Sequence, residues 1–249
     1  MNESSAATRS NSLSGKRVVV LGGTSGIGHA VALAAMRDGA QCVVVSSRRE
    51  SVDRALHSLG AGAEGHVADL GTEEAVRALF ERIGAFDHLV FTAGESLTLG
   101  LLDETSVADA QRAFGVRFWG AFAAVKHARR HLREGGSVVL TTGIASARPR
   151  SGWSVGAAVC GAMDSFARAL AMELAPIRVN VVSPGVVRSP LWKGMTAEAR
   201  DAMYREVGDT LLVGRVGAPE DVAEMYLCAM KCGFATGQTY VVDGGALLV

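Results

Sequence analysis

The sequence predicts a single α/β domain built on one doubly wound parallel sheet of about seven strands, with helices on both faces. Short β-branched apolar runs alternate with helical patterns from one end of the chain to the other. No internal repeat or low-complexity linker divides the 249 residues. A chain of this length with 49% hydrophobic residues can also fold around one large core.

The elements follow from the periodicity of the apolar residues. Seven runs are short, β-branched and apolar, as buried parallel strands are: Arg17–Leu21, Gln41–Val45, Glu64–Ala68, His88–Phe91, Ser137–Thr141, Arg178–Val182 and Gln238–Val242. The helical patterns are Gly28–Arg37, Arg49–Leu59, Thr72–Ile83, Ser106–Leu132, Trp153–Leu174 and Pro219–Met230. Thr72 before two glutamates, and Pro219 before Glu220 and Asp221, predict helix starts.

The composition disfavours several classes of partner. The formal net charge is +0, so no strong field attracts nucleic acid or an anionic membrane. No apolar run approaches the roughly 20 residues that span a bilayer. The first dozen residues are polar and lack the basic start and apolar core of a signal peptide. We therefore expect residues 1–13 to form a mobile tail ahead of a single domain over residues 14–249.

The four cysteines are few and scattered, which favours a reducing compartment and a cytoplasmic location. Cys228 and Cys232 are one helical turn apart, but no histidine or second cysteine pair accompanies them, so no metal site is predicted. The other two cysteines are Cys42 and Cys160.

A glycine-rich turn follows the first predicted strand, with the spacing Gly-x-x-x-Gly-x-Gly before a helical run. A strand, a tight turn and a helix N-terminus direct backbone N–H groups and the positive end of the helix dipole at one point, which suits a pyrophosphate. This context predicts a Rossmann-type dinucleotide site, the alternative being a merely tight turn. Its candidate residues are Gly22, Thr24, Ser25, Gly26, Ile27 and Gly28.

The residues after the second strand favour NADP(H) over NAD(H). Arg48 lies 20 positions after Gly28, about where a dinucleotide fold contacts the adenosine ribose. No carboxylate that could bind a free 2′-hydroxyl occurs there before Glu50. Hydroxyls and two guanidinium groups suit a 2′-phosphate instead, unless the arginines only begin a solvated helix. The candidates are Ser47, Arg48 and Arg49, with Asp69 and Leu70 placed to contact the adenine.

Ser183–Asp209 is the longest connection at the carboxyl ends of the strands, where ligands of such sheets bind. The segment is rich in large apolar side chains, which suit either a lid or short helices over an apolar small-molecule substrate, or a partner interface. These side chains belong to Leu191, Trp192, Met195, Met203 and Tyr204.

Further motifs extend from about Lys16 to Val249: Ala93-Gly94, Arg168-Ala-Leu-Ala-x-Glu-Leu174, Ile177-Arg-Val-Asn180, Ser183-Pro184-Gly185, Gly214-Arg215-x-Gly-x-Pro-Glu-Asp-Val222, Thr236-Gly237 and Val242-Asp243-Gly-Gly245. With the glycine turn and Asp69-Leu70, they resemble the short-chain dehydrogenase/reductase family. The resemblance implies an NAD(P)(H)-binding fold, a homodimer or homotetramer, and oxidoreductase chemistry on a carbonyl or alcohol. It also implies cofactor contacts from Ala93, Gly94, Pro184, Gly185, Val187 and Ser189.

Four catalytic residues that are usual in the family are missing. Its members use an Asn, a Ser, a Tyr and a Lys, of which the Tyr passes the proton and the Lys lowers the Tyr pKa. The corresponding positions here hold Arg117, Gly143, Gly156 and Cys160. The resemblance therefore implies an atypical member with a non-standard active site.

Arg117 and Thr142 are the candidate catalytic residues that remain. A guanidinium can stabilise a developing alkoxide or bind a carboxylate or enolate, but it donates protons poorly. Thr142 or Tyr204 would then relay the proton, with Trp153 and Ser154 nearby. Alternatively, Arg117 forms a surface or interface salt bridge. The alternative for Cys160 is a small core residue without a role in the site.

Three functions therefore stay open. The resemblance favours an NADP(H)-dependent oxidoreductase in which Arg117 polarises the substrate. The missing proton-transfer residues leave room for a scaffold that binds NADP(H) or a partner without redox chemistry. A third hypothesis is a non-redox enzyme on the same scaffold, such as a dehydratase, isomerase or cyclase.

Overall fold

The computed structural model describes residues 12–249, and its sheet confirms the predicted architecture. Seven strands pair in parallel in the order β3-β2-β1-β4-β5-β6-β7. The strands are β1 (Arg17–Leu21), β2 (Gln41–Ser46), β3 (Ala63–Val67), β4 (Phe86–Phe91), β5 (Leu132–Thr141), β6 (Arg178–Pro184) and β7 (Thr239–Val242).

Eight α-helices within residues 12–249 cover the two faces of the sheet. Their bounds are α1 (Gly26–Arg37), α2 (Arg49–Leu59), α3 (Glu73–Ile83), α4 (Val107–Ala113), α5 (Ala121–Ala128), α6 (Ser154–Glu173), α7 (Ala197–Thr210) and α8 (Pro219–Lys231). The two predicted helix starts are confirmed, because Thr72 precedes α3 and Pro219 is the first residue of α8.

The prediction of one helix over Ser106–Leu132 is wrong. A π-helical turn over Gly115–Gly120 separates α4 from α5, which ends at Ala128. The glycines in this turn weaken a regular α-helix. Leu132 belongs to β5, because it pairs with Phe86 of β4, a long-range contact that helical periodicity does not reveal.

The central strand β1 is buried on both faces, and this explains its unbroken apolar sequence. Val18 and Val20 face the layer that contains α1 and α8. Val19 and Leu21 face the opposite layer, which contains α3, α5 and α6. All four side chains are 0% exposed.

The strand order reverses at β1, which lies between β2 and β4. The loops that leave β1 and its neighbours therefore start side by side. The Gly22 N–H donates to the carbonyl of Val45 at 3.0 Å, and the Thr92 N–H donates to that of Leu21 at 2.9 Å. Ligands of doubly wound sheets bind in the crevice at such a reversal point.

Most of the predicted N-terminal tail, residues 1–11, lies outside the described residues. Leu13, its last residue, is 1% exposed and packs in the layer of α1 and α8. Its N–H donates to the Asp38 carboxylate at 3.1 Å. The ordered chain therefore includes at least Leu13.

Within the described range, α6 is the one helix long and apolar enough, by length and composition, to cross a membrane. The helix of a protein core passes the same test, and α6 packs in the sheet layer of α3 and α5. Its buried stripe consists of Val159, Met163, Ala167 and Leu170.

Candidate active site

The glycine turn has the geometry of a pyrophosphate cradle. Gly22 has a φ of +87°, which side-chain-bearing residues rarely adopt. A Cβ on Gly28 would overlap the Gly22 carbonyl oxygen and Thr92 Oγ1, so the helix approaches the turn only with glycine there. Ser25 precedes α1, whose first turn carries no acidic residue. Its N–H groups therefore suit an anion. Thr24 and Ile27, both half-buried, complete the turn.

The predicted 2′-phosphate residues Ser47, Arg48 and Arg49 are exposed at the carboxyl end of β2, on the same edge as the turn. Arg49 lies 3.8 Å from the Asp53 carboxylate, but both side chains are largely exposed, so this pair holds the guanidinium weakly. The position and charge of the two arginines fit the 2′-phosphate of NADP(H).

The loops after β3, β4 and β6 form the remaining walls. The Asp69 Oδ1 accepts the Gly71 N–H at 2.9 Å, which orders the loop after β3. The loop after β6 reaches the glycine turn, because a Cβ on Gly26 would lie 3.1 Å from Pro190 and 3.5 Å from Ser189. The other predicted residues at this edge are Leu70, Ala93, Gly94, Pro184, Gly185 and Val187.

A cavity of about 30 Å³ brings three of the predicted catalytic positions together. Gly156, at the usual Tyr position, has open space where a side chain would extend. The volume suits about one water molecule. The lining residues are Leu97, Thr98, Ala113, Arg117, Val155, Gly156, Val159 and Cys160.

Arg117 joins this cavity to the glycine turn. A Cβ on Gly22 would lie 2.7 Å from the Ala93 nitrogen. Gly94 follows Ala93, and a Cβ on Gly94 would lie 2.9 Å from Arg117 Cζ. The guanidinium donates to the main-chain carbonyl of Glu95. Arg117 therefore lies over the loop after β4, and it lines the cavity instead of forming a surface salt bridge.

Burial lowers the pKa of Arg117, and the Glu95 carboxylate and Cys160 act in the opposite direction. A guanidinium nevertheless keeps its charge at neutral pH. A permanent positive charge in a largely apolar cavity is suited to stabilising negative charge on a substrate oxygen.

Cys160 is more than a core residue, because it lines the cavity. Burial raises the pKa of its thiol, against the effects of Thr142, Arg117 and the Gly143 N–H. The thiol therefore stays protonated at neutral pH. A Cβ on Gly143, at the usual Ser position, would lie 3.4 Å from Cys160 Sγ, so these two positions are neighbours.

Thr142 is close to the cavity but does not line it. Its hydroxyl donates to the main-chain carbonyl of Cys160 at 2.9 Å. This hydrogen bond joins the end of β5 to α6 and uses the hydroxyl proton within the protein. The geometry therefore gives Thr142 a structural contact and does not support direct proton transfer by it.

The segment between β6 and α8 forms its own apolar cluster with Trp192, Tyr204 and Leu211 buried in it. Leu97 and Trp153 pack against this cluster, and Leu97 also lines the cavity. The segment therefore contacts the wall of the cavity. It includes the helix α7, in keeping with the short helices that its sequence suggested as one possibility.

Tyr204 does not serve as the proton relay that the sequence suggested. Its side chain is 4% exposed, and the Arg188 guanidinium carbon lies 4.6 Å from its ring centroid. The ring is part of the cluster interior, and Tyr204 is not among the residues that line the cavity. Ser154, the first residue of α6, is exposed and is also outside the cavity lining.

Comparisons with known proteins identify the family to which this chain belongs. The family model described as enoyl-(acyl carrier protein) reductase matches residues 22–246. The short-chain dehydrogenase/reductase ucsE of Acremonium sp is 38% identical, over 97% of this chain and 99% of its own length. The one named malC, of Malbranchea aurantiaca, is 30% identical over 95% and 96%. The chain belongs to the short-chain dehydrogenase/reductase family.

Solved structures of similar proteins confirm the fold. A small-chain dehydrogenase in complex with NADPH has 40% sequence identity and a TM-score of 0.80, covering 94% of this chain and 99% of its own. The MalC reductase/Diels-Alderase from Malbranchea aurantiaca has 30% identity and a TM-score of 0.89, covering 95% and 98%.

As a short-chain dehydrogenase/reductase, this chain has site residues that sequence reasoning missed. Glu95, Leu97 and Thr98 directly follow the predicted Ala93-Gly94 motif and contact Arg117 or line the cavity. The sequence feature that could have identified these residues is their position just after the carboxyl end of β4, at the reversal point of the sheet. The loop was identified, but its contact with Arg117 depends on how the π-helical turn folds.

Proposed function

We propose that this protein is an NADP(H)-dependent oxidoreductase that acts on a carbonyl or alcohol of an apolar small molecule through a non-standard site centred on Arg117. The observation that carries the proposal is the close approach of Gly22 to Ala93, and of the adjoining Gly94 to the Arg117 side chain. It places a permanent positive charge next to the loop that would bind the cofactor.

The residues present fit the cofactor. Gly22, Gly28 and the N-terminus of α1 would hold the pyrophosphate, and Arg48 and Arg49 would hold the 2′-phosphate. When bound, NADPH supplies a hydride. A solved relative, 40% identical over 94% of this chain, is in complex with NADPH, which supports the preference for NADP(H).

Arg117 would bind the substrate oxygen and stabilise the negative charge that develops there during reduction. The cavity lining contains no Tyr, Lys or His, so the proton would come from water. The Thr98 hydroxyl and the Cys160 thiol line the same cavity and would hold that water by hydrogen bonds. Arg117 would therefore stabilise the negative charge on the substrate oxygen, and solvent would provide the proton.

The walls favour an apolar substrate. Leu97, Val155 and Val159 line the cavity, and the apolar cluster around Trp192 packs against Leu97 and Trp153. Apolar walls around one charged group are typical of small-molecule sites. Because the cavity itself has room for about one water, the body of the substrate would lie outside it, against the apolar cluster. The segment between β6 and α8 would then act as the cover of the substrate site.

Self-association in the cytoplasm is part of the same proposal. Trp119 is 60% exposed, Phe122 is 43% exposed and Met172 is 83% exposed. These large apolar side chains lie in the π-helical turn, in α5 and in α6, and exposed apolar groups of this size favour contact with a second copy. A homodimer or homotetramer would bury them.

A second candidate function is a non-redox cyclisation on the same scaffold. Its support is the similar structure described as a MalC reductase/Diels-Alderase, with a TM-score of 0.89. A charged group that polarises a carbonyl can accelerate a ring closure without transferring a proton, and Arg117 in a cavity without Tyr, Lys or His suits that role.

Cofactor choice is tested by titrating the protein with NADPH and with NADH, following energy transfer from tryptophan to the nicotinamide. We expect NADPH to bind at least about tenfold more tightly, since a charge-assisted hydrogen bond contributes about 1.5–3 kcal/mol. Arg48→Gln with Arg49→Gln should remove this preference, whereas the matched control Arg54→Gln, further along α2, should keep it. Equal affinities in the unmodified protein would refute the NADP(H) preference.

Redox function is tested with a panel of apolar aldehydes, ketones and enones, following NADPH absorbance. We expect turnover by the unmodified protein and a loss of about 100-fold in Arg117→Gln, a typical effect of removing an oxyanion-stabilising group. Tight NADPH binding with no consumption on any substrate would overturn the oxidoreductase proposal. Ring closure that proceeds with the cofactor removed would instead support the second candidate.

A further inference from the structure

Glu95 holds the segment that carries Arg117 by two separate contacts. Its Oε1 accepts the Val116 N–H at 2.9 Å. Its main-chain carbonyl accepts a hydrogen bond from the Arg117 guanidinium. One residue of the loop after β4 thus contacts both the backbone next to Arg117 and the end of its side chain.

The backbone contact lies at the start of the π-helical turn Gly115–Gly120. In this turn the Trp119 N–H donates to the Phe114 carbonyl at 3.0 Å, a spacing of five residues. Such a turn inserts one extra residue, rotates the side chains that follow and occurs often at functional sites. The N–H groups at the start of a helical segment need an acceptor from outside, and Glu95 provides one for Val116.

Two glycines make room for this arrangement. A Cβ on Gly115 would lie 3.2 Å from Glu95 Oε1, so the carboxylate sits against a bare backbone. A Cβ on Gly94 would lie 2.9 Å from Arg117 Cζ and 3.0 Å from its Nη1. Larger side chains at either position would displace the carboxylate or the guanidinium.

Glu95 also supplies the negative charge that faces Arg117. Its carboxylate raises the pKa of Arg117, against the effect of burial. No ion pair of Arg117 with a carboxylate occurs within residues 12–249 at salt-bridge distance. The guanidinium is therefore oriented without being neutralised, and its charge stays available to a ligand in the cavity.

We propose that Glu95 is a positioning residue: it holds the π-helical turn in the conformation that directs the Arg117 guanidinium into the cavity. The proposal rests on the proposed function in that Arg117 is the group that acts on the substrate oxygen. It extends that function by assigning Glu95 a task that the family motifs do not specify.

The first experiment needs no turnover. Hydrogen exchange, read by mass spectrometry on the peptide over residues 114–120, is compared among the unmodified protein, Glu95→Ala, Glu95→Gln and the control Glu104→Ala. Glu104 is an exposed glutamate of the same connection. We expect about tenfold faster exchange in Glu95→Ala, the size of one lost hydrogen bond. Glu95→Gln keeps an acceptor oxygen and should exchange at the unmodified rate, as should Glu104→Ala.

The second experiment measures steady-state reduction of the best carbonyl substrate from the panel. We expect kcat to fall about tenfold in Glu95→Ala, with the KM for NADPH unchanged and most of the rate restored in Glu95→Gln. Because Glu95 acts through Arg117, the double variant with Arg117→Gln should be no slower than Arg117→Gln alone.

Unchanged exchange in Glu95→Ala would overturn the positioning role, and so would fully additive kinetic losses in the double variant. A protein that binds NADPH but reduces no substrate would refute the proposed function, while the exchange result would still decide whether Glu95 holds the turn. Circular dichroism and NADPH titration of Glu95→Ala, both expected to match the unmodified protein, show that a slower rate is not caused by unfolding.

Discussion

Acidification should destabilise this protein through one buried histidine. His88 lies in β4 with 4% of its surface exposed, and its Nδ1 is 2.9 Å from the Ser137 hydroxyl oxygen in β5. Burial is the main reason that its pKa falls from 6.5 to about 4, and the charges of Arg178 and Lys16 lower it further, whereas Asp87 raises it. The imidazole is therefore neutral in the folded protein at neutral pH.

The direction of the stability change with pH follows from the difference between the His88 pKa in the folded and the unfolded protein. The unfolded chain binds a proton at His88 near pH 6.5, whereas the folded protein binds it only near pH 4. Stability is therefore lost as the pH falls between these two values. At about 1.36 kcal/mol per pH unit, the full loss is about 3 kcal/mol, of which about 2 kcal/mol is reached by pH 5.

The assay is urea unfolding followed by tryptophan fluorescence at pH 7.5, 6 and 5. The variant His88→Gln cannot titrate and keeps a polar group for Ser137, so its free energy of unfolding should change by about 2 kcal/mol less over this range. His57→Gln, at an exposed position in α2, is the control and should behave as the unmodified protein. Equal pH dependence in His88→Gln and the unmodified protein would refute the reasoning.

Two further predictions concern packing. Gly28→Ala places a Cβ where it overlaps the Gly22 carbonyl oxygen, so we expect a loss of about 1–3 kcal/mol in stability and weaker NADPH binding. Gly156→Ala, which enters open space within α6, should keep or slightly raise the melting temperature, because alanine favours a helix more than glycine does. Equal losses in the two variants would contradict this reasoning. Tyr226→Phe removes the 2.6 Å hydrogen bond between the fully buried Tyr226 and the half-buried Thr141. This change should cost about 0.5–1.5 kcal/mol in chemical denaturation, the net worth of one hydrogen bond. An unchanged midpoint would contradict this cost and would indicate that the bond from Thr141 to the Phe91 carbonyl is sufficient.

Much of the fold could be predicted from local pattern. The strands of a doubly wound sheet are buried on both faces, so Val18, Val19 and Val20 are apolar without alternation. The glycine turn could also be predicted, because its strand, glycine spacing and helix are adjacent in the sequence. The close approach of Gly22 and Gly28 to Thr92 and Ala93 became apparent only in the tertiary structure.

The prediction of one helix over Ser106–Leu132 is wrong because the contacts that decide this region join residues far apart in the sequence. Its apolar pattern is helical, but Leu132 pairs with Phe86 across 46 positions, and the π-helical turn is held by Glu95 from another loop. Neither contact leaves a trace in local periodicity. The sequence suggested short helices within Ser183–Asp209 but not the bounds of α7, although Thr196 caps this helix by accepting the Ala199 N–H at 3.2 Å, and a threonine before a helical run is a signal of a helix start.

The sequence by itself determined the fold class, the cofactor turn and the absence of the usual Tyr and Lys at Gly156 and Cys160. Only the tertiary structure decided where the Arg117 side chain lies. A residue on a helix reaches solvent, an interface or a cavity according to small rotations of its turn. Here the Arg117 guanidinium donates to the main-chain carbonyl of Glu95, 22 positions away. Such a contact between distant residues orients a charge, and it cannot be predicted from local sequence.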